Sequence, residues 1–438
     1  LVELTDGAVA LRLDGIGLLL AAAVLVLAAL VTLYSGRYMA GEEGEEKFYA
    51  LLVMMSGTMI GLGCATDLFN LWVWFEAMAV SSYMLVAFYR QQGASLEAGV
   101  KYLVQSAAGS ALVLLGIALV FSQTGTTSLA GIRASAGGGS ALMLAAAGGL
   151  FLIGFGVKVA LVPMHTWLPD AHSQAPSGIS AMLSGVVIEA GLVALLRAVG
   201  ALAGVSTQWG LLLMVFGAAN ILLGNLMALR QKQVKRMLAY SSLSHVGYML
   251  IGLGVTVGFQ QPLGAAGGFF HLLVHVLMKG LAFLAAGTLL YTLHLAQGSH
   301  HPLVVEDLNG ASRRYPFIAL VLSLALFSLG GLPPLAGFMS KWQIFVAGVQ
   351  TGSPAVIALV VFAALNSVLS LGYYAPLVNR MYRYEPSSIV QNGKTVPLSM
   401  AIPLGILAVA LVVIGFYPAL LRWMIDPAAA SLLVAFGG

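Results

Sequence analysis

Eight ionisable residues lie inside long apolar stretches of this chain. His271, His275 and Lys279 are spaced four residues apart in FFHLLVHVLMKGLAFLAAG, so a helix places all three on one face. A neutral imidazole accepts a proton on one nitrogen and donates one from the other, and this line of residues therefore suits a proton relay. The remaining candidates for buried proton transfer are Glu76, Lys158, Glu189, His245 and Lys341.

Lys158 lies in an apolar helix that Pro163 breaks five residues later. An ammonium at membrane depth costs about 2.5–3.5 kcal/mol on insertion scales. Burial lets a lysine lose its proton, whereas an arginine stays charged. The break frees backbone carbonyls that the site can use. We expect Glu76 to be a proton acceptor and the local counter-charge of Lys158; His165, in the HTWLPD turn after the break, is a weaker candidate.

Most of these residues also have a purely structural interpretation. Glu76 can belong to an ion pair that locks two helices, and Lys158 can be a purely structural lysine. A carboxylate buried as deeply as Glu189 is paired or protonated, and its partner is Lys158 or a lysine on another helix. His245 can pack against neighbouring serines, and Lys341 can extend its amine to the interface.

Cofactor chemistry finds little support in the sequence. Two histidines at i, i+4 fit a metal site, but there is no HExxH pattern and no nearby carboxylate, so we expect no metal. A single cysteine, Cys64, excludes an internal disulfide and a multi-cysteine iron–sulfur site. Walker, dinucleotide, haem and catalytic-triad motifs are absent. We expect no cofactor in this chain, and it offers nothing to oxidise or reduce a substrate by itself.

Composition places the candidate residues in a membrane. Of the 438 residues, 60% are hydrophobic and only 8% are charged, against about 25% charged in soluble domains. Long apolar runs favour helices over an outer-membrane barrel. The net charge of +4 comes mainly from loop Lys and Arg and does not indicate nucleic acid. We therefore expect an all-α polytopic membrane protein in a lipid bilayer.

The chain contains about 12 apolar segments of the length, about 20 residues, that a spanning helix needs. Loop Lys and Arg favour one side by three to one, which predicts that this side is cytoplasmic and that both termini are external. Residues 1–14 and 422–438 are expected to be terminal extensions. The predicted spans are 15–34, 48–66, 67–89, 99–122, 141–165, 176–199, 206–229, 236–257, 263–290, 315–346, 354–379 and 397–418.

Two segments are over-long and interrupted by proline or glycine. They are 141–169, with Lys158, and 315–346, where Lys341 follows a Pro-Pro pair. As the fifth and tenth spans, they run in opposite directions, and paired broken helices in an inverted repeat indicate a transport site. We divide the chain into an N-terminal segment with the first helix, two inverted proton-conducting halves, and a C-terminal helix with its tail: 1–47, 48–199, 200–379 and 380–438.

Six segments, in order over residues 48–350, resemble the antiporter-like proton-translocating subunits of respiratory complex I, membrane-bound hydrogenases and Mrp cation/proton antiporters. The resemblance implies two inverted five-helix repeats in a fourteen-helix core whose third helix matches the first span here. The matching segments are FNLWVWFEAMAVSSYMLVAF, EAGVKYLVQSA, GVKVALVPMHTWLPDAHSQAPSGISAMLSG, VKRMLAYSSLSHVGYMLIGLG, HLLVHVLMKGLAFLAAG and GLPPLAGFMSKWQIF.

The resemblance also implies roles for single residues. Glu76 and Lys158 match the input pair of the family's fifth and broken seventh helices. His271, His275 and Lys279 match the central relay on the eleventh helix, and Lys341 matches the lysine of the broken twelfth helix, at the output. The family usually has lysine where this chain has Glu189, and this departure leaves open both the order of transfer and the transported ion.

These observations favour a proton-translocating subunit of a complex I-like or hydrogenase-like membrane complex. Its partners are expected to be other membrane subunits, with redox subunits supplying the energy, so that the chain is a non-catalytic part of an oxidoreductase of the NADH:quinone type. The expected location is the cell inner (plasma) membrane or an equivalent energy-transducing membrane. The alternatives are a sodium/proton antiporter subunit of the Mrp type and a non-transporting scaffold.

Overall fold

The computed structural model describes residues 2–6 and 9–437, and the side chains from residue 10 onward. A short antiparallel hairpin, β1 and β2, precedes nineteen helices, of which α8 continues through a π-helical turn into α9. The elements are β1 Val2–Asp6, β2 Val9–Leu13, α1 Gly15–Tyr38, α2 Glu45–Cys64, α3 Leu68–Val86, α4 Gly93–Thr124, α5 Leu129–Ser135, α6 Ala141–Val159, α7 Trp167–Gln174, α8 Ser177–Met182, α9 Ile188–Ala201, α10 Trp209–Ala228, α11 Val234–Phe259, α12 Pro262–Leu293, α13 Ala311–Arg314, α14 Pro316–Gly330, α15 Ala336–Gln350, α16 Pro354–Arg383, α17 Ser388–Asn392, α18 Leu398–Phe416 and α19 Arg422–Ala435.

The chain is an all-α polytopic membrane protein, as predicted. Eleven helical segments of the described chain are long and apolar enough to cross a membrane. Ten of them coincide with predicted spans. The other two predicted spans are also helical, but α3 carries Glu76 and the tenth span is split into α14 and α15.

Both chain ends differ from the terminal extensions that we expected. Residues 422–438 are not a simple tail, because α19 occupies most of them and packs against α1 and α12. At the other end, β1 and β2 lead into α1, whose first turn is capped by Asp14. Arg197 of α9 donates two hydrogen bonds to the Asp14 carboxylate, at 2.8 and 3.0 Å. These contacts fix the start of α1 against the first half of the bundle.

The two broken helices end in the same backbone motif. At the end of α6, Ala160 takes a left-handed conformation (φ 59°), its N–H bonds to the Val157 carbonyl, and the next N–H bonds to the Gly156 carbonyl. At the end of α14, Gly331 (φ 79°) and the following residue repeat both hydrogen bonds. This is the Schellman ending, which satisfies carbonyls that the helix itself leaves free. The prediction of two broken helices is confirmed.

The lysines of the two broken helices do not occupy equivalent positions. Lys158 precedes its left-handed residue by two positions, within α6, whereas Lys341 follows Gly331 by ten positions, within α15. When the two sequences are aligned at their left-handed residues, Ala160 and Gly331, Lys158 corresponds to Leu329. Lys341 reaches back to donate a hydrogen bond to the carbonyl of that residue, at 2.8 Å. The two broken segments therefore carry their lysines at different positions, although the Lys341 amine reaches the end of α14.

Helix α12 forms the centre of the bundle. It packs against α1, α8, α11, α14, α15, α18 and α19, and nearly all of its residues are buried. Its line of His271, His275 and Lys279 is consequently surrounded by protein on every side, with exposed fractions of 0% for all three side chains. Because polar groups in such a position find no solvent, each needs a partner from a neighbouring helix.

Helices α10 and α11 approach so closely that their backbones touch at glycines. A Cβ on Gly247 would lie 2.5 Å from the carbonyl oxygen of Gly217, and a Cβ on Gly217 would lie 2.8 Å from that of Gly247. Small residues at such an interface let two helices pack closely without a hydrophobic driving force from water.

Gly247→Leu is therefore expected to lower stability by about 1–3 kcal/mol, because the larger side chain forces two packed backbones apart. Gly57→Leu is the matched control, since Gly57 has open space around the position of a Cβ. The thermal unfolding midpoint of each purified variant in detergent tests the prediction. Equal midpoints for the two variants would contradict it.

Candidate functional site

Lys158 lies at the C-terminal end of α6 and is completely buried. Its Nζ donates a hydrogen bond to the hydroxyl of Tyr102 at 2.7 Å and lies 4.5 Å from the centre of the same ring. Trp167 stacks on Tyr102 with ring centres 3.9 Å apart, and it donates to the Val157 carbonyl at the helix end. Gly191 of α9 gives the lysine stem its space, because a Cβ there would lie 3.0 Å from Cγ of Lys158.

Glu76, the expected local counter-charge of Lys158, makes no ion pair with it, and its role as counter-charge stays a prediction. Among the described residues, no carboxylate oxygen lies within 4.0 Å of the Lys158 Nζ. The two residues are near one another, since the ring of Phe75 is 5.8 Å from that Nζ. One oxygen of Glu76 is buried without a hydrogen-bond partner in the described structure. Tyr102, rather than Glu76, is the contact partner of the lysine.

The partner of Glu189 is a histidine instead of a lysine. Its Oε1 lies 2.8 Å from Nδ1 of His275, and both side chains are completely buried. The π-helical turn Leu183–Val187 ends two residues before Glu189, in the helix that continues as α9. Such a turn carries one residue more than an α-helical turn and re-aims the side chains that follow it; these turns occur frequently at functional sites. Glu189, where the family usually has lysine, therefore contacts the line of ionisable residues on α12 through His275.

His245 belongs to the same group, and it does not merely pack against serines. Its Nδ1 lies 3.0 Å from Nε2 of His271, and Nδ1 of His271 lies 2.8 Å from the hydroxyl of Ser340. The ring centres of His245 and His275 are 5.2 Å apart. His245 therefore sits between the two histidines of α12 and extends the line toward α15.

Lys279 and Lys341, which are also buried, bind neutral oxygens as well. Lys279 donates to the Leu238 carbonyl at 2.7 Å and to the hydroxyl of Ser241. Lys341 donates to the Leu329 carbonyl and to the hydroxyl of Ser367, both at 2.8 Å. Neutral acceptors satisfy an ammonium without fixing its charge in the way that a carboxylate does, because they bring no opposite charge that favours the protonated form.

We define one buried row of seven side chains that runs from α9 through α11 and α12 to α15. Lys279 and Lys341 belong to it by their positions next to His275 on α12 and next to Ser340 on α15, not by a contact with another member. Lys158 and Glu76 stand at one end of it without a hydrogen bond to it. Clusters of three or more potential metal-ligating His, Cys, Asp or Glu side chains are absent from the described part of the chain. The members of the buried row are Glu189, His275, His245, His271, Ser340, Lys341 and Lys279.

Sequence reasoning missed the partners that complete this site. Tyr102 stands in the KYLVQSA segment and Ser340 stands beside Lys341, but hydroxyl side chains are common in apolar helices and gave no signal. Lys235 was not among the candidates, but its side chain is buried at the start of α11 and donates to the Ala175 carbonyl. His172 is also completely buried, although it lies in the polar stretch after the helix break.

Two family descriptions match most of the chain. Residues 65–367 match "NADH:quinone oxidoreductase/Mrp antiporter, TM", and residues 5–49 match "NADH-Ubiquinone oxidoreductase (complex I), chain 5 N-terminus". The first match contains the buried row, Lys158 and Glu76. The chain belongs to the NADH:quinone oxidoreductase/Mrp antiporter family. This confirms the resemblance noted from the sequence.

Similar members of the family span nearly all of the chain. F(420)H(2) dehydrogenase subunit N of Methanosarcina mazei is 34% identical over 426 residues, covering 95% of this chain and 84% of the relative. NADH-quinone oxidoreductase subunit N of Desulfitobacterium hafniense is 33% identical over 427 residues, covering 93% and 83%. The chain is thus an antiporter-like subunit of the kind found in complex I-like assemblies.

Solved structures of the family show the same fold. A chain of the membrane-bound sulfane sulfur reductase, an archaeal respiratory membrane complex, superposes with a TM-score of 0.86 at 30% identity, covering 98% of this chain and 85% of the other. The Mrp complex from Dietzia sp. gives the same TM-score at 23% identity, with coverage of 99% and 87%, and shows the fold alone. Family members in these structures are parts of multisubunit membrane complexes, and other membrane subunits are the partners of this chain.

Tyr102→Phe is expected to destabilise the protein by about 1–3 kcal/mol, because it leaves the buried Lys158 amine without an acceptor. Adding Lys158→Met removes that unsatisfied group, so the double variant should recover most of the loss. Thermal unfolding in detergent measures both steps, with Tyr382→Phe at an exposed position as the control. A double variant that is less stable than Tyr102→Phe would show that Tyr102 does not stabilise Lys158.

Proposed function

We propose that this chain translocates protons across the membrane as a subunit of a respiratory complex of the complex I type. The observation that carries the proposal is the buried row, in which successive side chains lie within hydrogen-bond reach or in adjacent turns. Aliphatic side chains or fixed ion pairs would stabilise such a core at least as well as the ionisable side chains of the row do. Side chains that can both accept and release protons serve transport.

Two steps of the relay move a proton between atoms that are already within hydrogen-bond distance. A proton on Oε1 of Glu189 passes to Nδ1 of His275, across 2.8 Å. His245 and His271 exchange a proton between Nδ1 and Nε2, across 3.0 Å, and Ser340 links that ring to the helix turn of Lys341. Between His275 and His245 the ring centres are 5.2 Å apart, so this step requires ring rotation or a bridging water.

Charge coupling along the row can carry a change of protonation from one lysine to the next. Two like charges about 10 Å apart repel by about 1.7 kcal/mol at an effective dielectric of about 20. Protonation of Lys158 therefore makes it harder for the next lysine to keep its own proton. We propose that protons enter beside Glu76 and Lys158, cross through His271, His275 and Lys279, and leave past Lys341.

The energy comes from partners, since this chain is proposed to hold no redox cofactor. The relatives named above are subunits of dehydrogenases and oxidoreductases. We propose that redox subunits of the same assembly supply the energy for proton transfer along the buried row. The assembly is proposed to lie in the cell inner (plasma) membrane or an equivalent energy-transducing membrane, with lipid around the exposed apolar faces of the chain.

Lys341→Met and His271→Gln are expected to lower proton flux at least about tenfold, because each removes a proton carrier that no parallel group replaces. The measurement uses the purified chain in proteoliposomes, with a potassium diffusion potential as the driving force and an internal pH dye as the readout. Lys394→Met, at an exposed loop position, is the matched control and should conduct like the wild type.

Wild-type flux in both variants would contradict proton transport through the row. The same variants, expressed in the host organism, separate transport from a scaffold role. If the chain is a scaffold, the complex should fail to assemble. If the chain transports protons, the complex should assemble but not pump. Flux that depends on sodium instead of potential would assign the chain to sodium/proton exchange.

A further inference from the structure

Asp170 of α7 carries a carboxylate that bridges two other helices. Its Oδ2 accepts a hydrogen bond from Nζ of Lys101 on α4, at 3.2 Å, and its Oδ1 accepts one from Nη1 of Arg236 on α11, at 2.6 Å. Each oxygen thus binds a cation from a different helix. The Asp170 side chain is 23% exposed, and ion pairs at partly exposed positions add little to stability. The bridge therefore points to a role in geometry.

The position of α7 depends on such contacts because no helix connects it to α6. Residues 160–166 separate the two helices and contain the helix break after Lys158. A continuous helix would fix the rotation of α7 relative to α6, whereas a non-helical connection leaves that rotation to contacts with neighbouring helices. Helix α7 packs against α4 and α11, the two helices that Asp170 bridges.

Two contacts between α7 and α4 lie side by side. Trp167 precedes Asp170 by three positions and so lies on the same side of α7, and Tyr102 follows Lys101 on α4. The rings of Trp167 and Tyr102 stack with centres 3.9 Å apart and an angle of 3° between the planes. The ion pair of Asp170 with Lys101 therefore holds together the same two helices that the stacked rings join.

The stacked rings lead directly to the lysine of the broken helix. The hydroxyl of Tyr102 accepts the hydrogen bond of the Lys158 amine, at 2.7 Å. A lysine side chain is flexible, so this hydrogen bond determines where the amine lies. A rotation of α7 moves the Trp167 ring against Tyr102 and changes the position of the hydroxyl. Proton transfer requires groups within hydrogen-bond reach, and such a shift therefore disturbs it.

We propose that Asp170 is a positioning residue for proton transfer at Lys158. By holding α7 between α4 and α11, it keeps Trp167 stacked on Tyr102 and the tyrosine hydroxyl at the lysine amine. Asp170 itself carries no proton along the buried row. The inference rests on the proposed function.

Asp170→Asn is expected to lower proton flux at least about threefold in the proteoliposome assay, because small displacements of reacting groups slow transfer strongly. Asparagine keeps the size of the side chain but not the charge that binds Lys101 and Arg236. Arg236→Gln removes only one of the two bridges and should lower the flux in the same direction. Glu385→Gln breaks the exposed ion pair with Arg313, and as the matched control it should leave the flux unchanged.

The conservative variant Asp170→Glu distinguishes the carboxylate from the mere presence of a side chain that fits. It retains the charge that binds both cations and should conduct close to the wild type. A flux in Asp170→Glu as low as that in Asp170→Asn would overturn the inference.

Combining Asp170→Asn with Tyr102→Phe tests whether Asp170 acts through the tyrosine. Tyr102→Phe removes the hydroxyl but retains Lys158, so it should leave a measurable residual flux. If Asp170 acts by placing that hydroxyl, Asp170→Asn should cause no further loss in the Tyr102→Phe background. Independent sites give effects that combine without interaction, so a further loss by the same factor as in the wild-type background would refute positioning through Tyr102.

The His271→Gln variant separates failure of this inference from failure of the proposed function. If His271→Gln blocks the flux while Asp170→Asn conducts like the wild type, the positioning role is refuted and the row stands. If His271→Gln also conducts normally, the proposed function fails, and the inference fails with it.

Discussion

The structure depends on hydrogen bonds to the free backbone groups at two helix ends, those of α6 and α14, inside the membrane protein. Each broken helix leaves carbonyl groups without intrahelical partners, and no solvent reaches them there. At α6, Asn220 accepts from the N–H of Val162 and donates to the carbonyl of Ala160. At α14, the free carbonyls of Leu329 and Gly330 accept from Lys341 and Ser367. The breaks are therefore stable because side chains from other helices complete them.

The same arrangement allows lysines to be buried without carboxylates beside them. The C-terminal end of a helix carries a partial negative charge that favours a nearby cation. The Lys341 amine donates to a carbonyl at the end of α14, and Lys158 belongs to the last turn of α6. Their hydrogen-bond acceptors are neutral oxygens. A carboxylate within contact distance would hold the proton on the amine, whereas a helix end stabilises it more weakly. Each lysine can then change its charge when a neighbouring group changes, and this is the property that a relay requires.

Glu189 changes the centre of this relay relative to a row made of lysines alone. A carboxyl group hydrogen-bonded to His275 carries a proton as a neutral acid, whereas a lysine carries it as a cation. The buried row consequently holds one fewer potential positive charge at this point. The preceding π-helical turn orients Glu189, so the local backbone and the change from lysine to glutamate act together at this position.

Local features of the structure followed from the sequence, and long-range ones did not. The i, i+4 line on α12 and the helix break after Lys158 are properties of a few neighbouring residues, so spacing and proline sufficed to predict them. The contact of Glu189 with His275 joins positions 86 residues apart, and that of Lys158 with Tyr102 joins positions 56 residues apart. Such pairs depend on how helices rotate against each other, which periodicity does not specify. The end of the chain was predicted wrongly because α19 is short and carries a proline.

Infrared difference spectroscopy of Glu189 tests the central claim most directly, since it reports the proton itself. The purified chain in liposomes is compared with and without an imposed proton flow, and the carboxylic acid C=O band is assigned by its loss in Glu189→Gln. The account predicts that this band changes intensity when flow begins in the wild type and stays constant in His271→Gln. A Glu189 band that is unaffected by proton flow in the wild type would contradict transfer along the buried row.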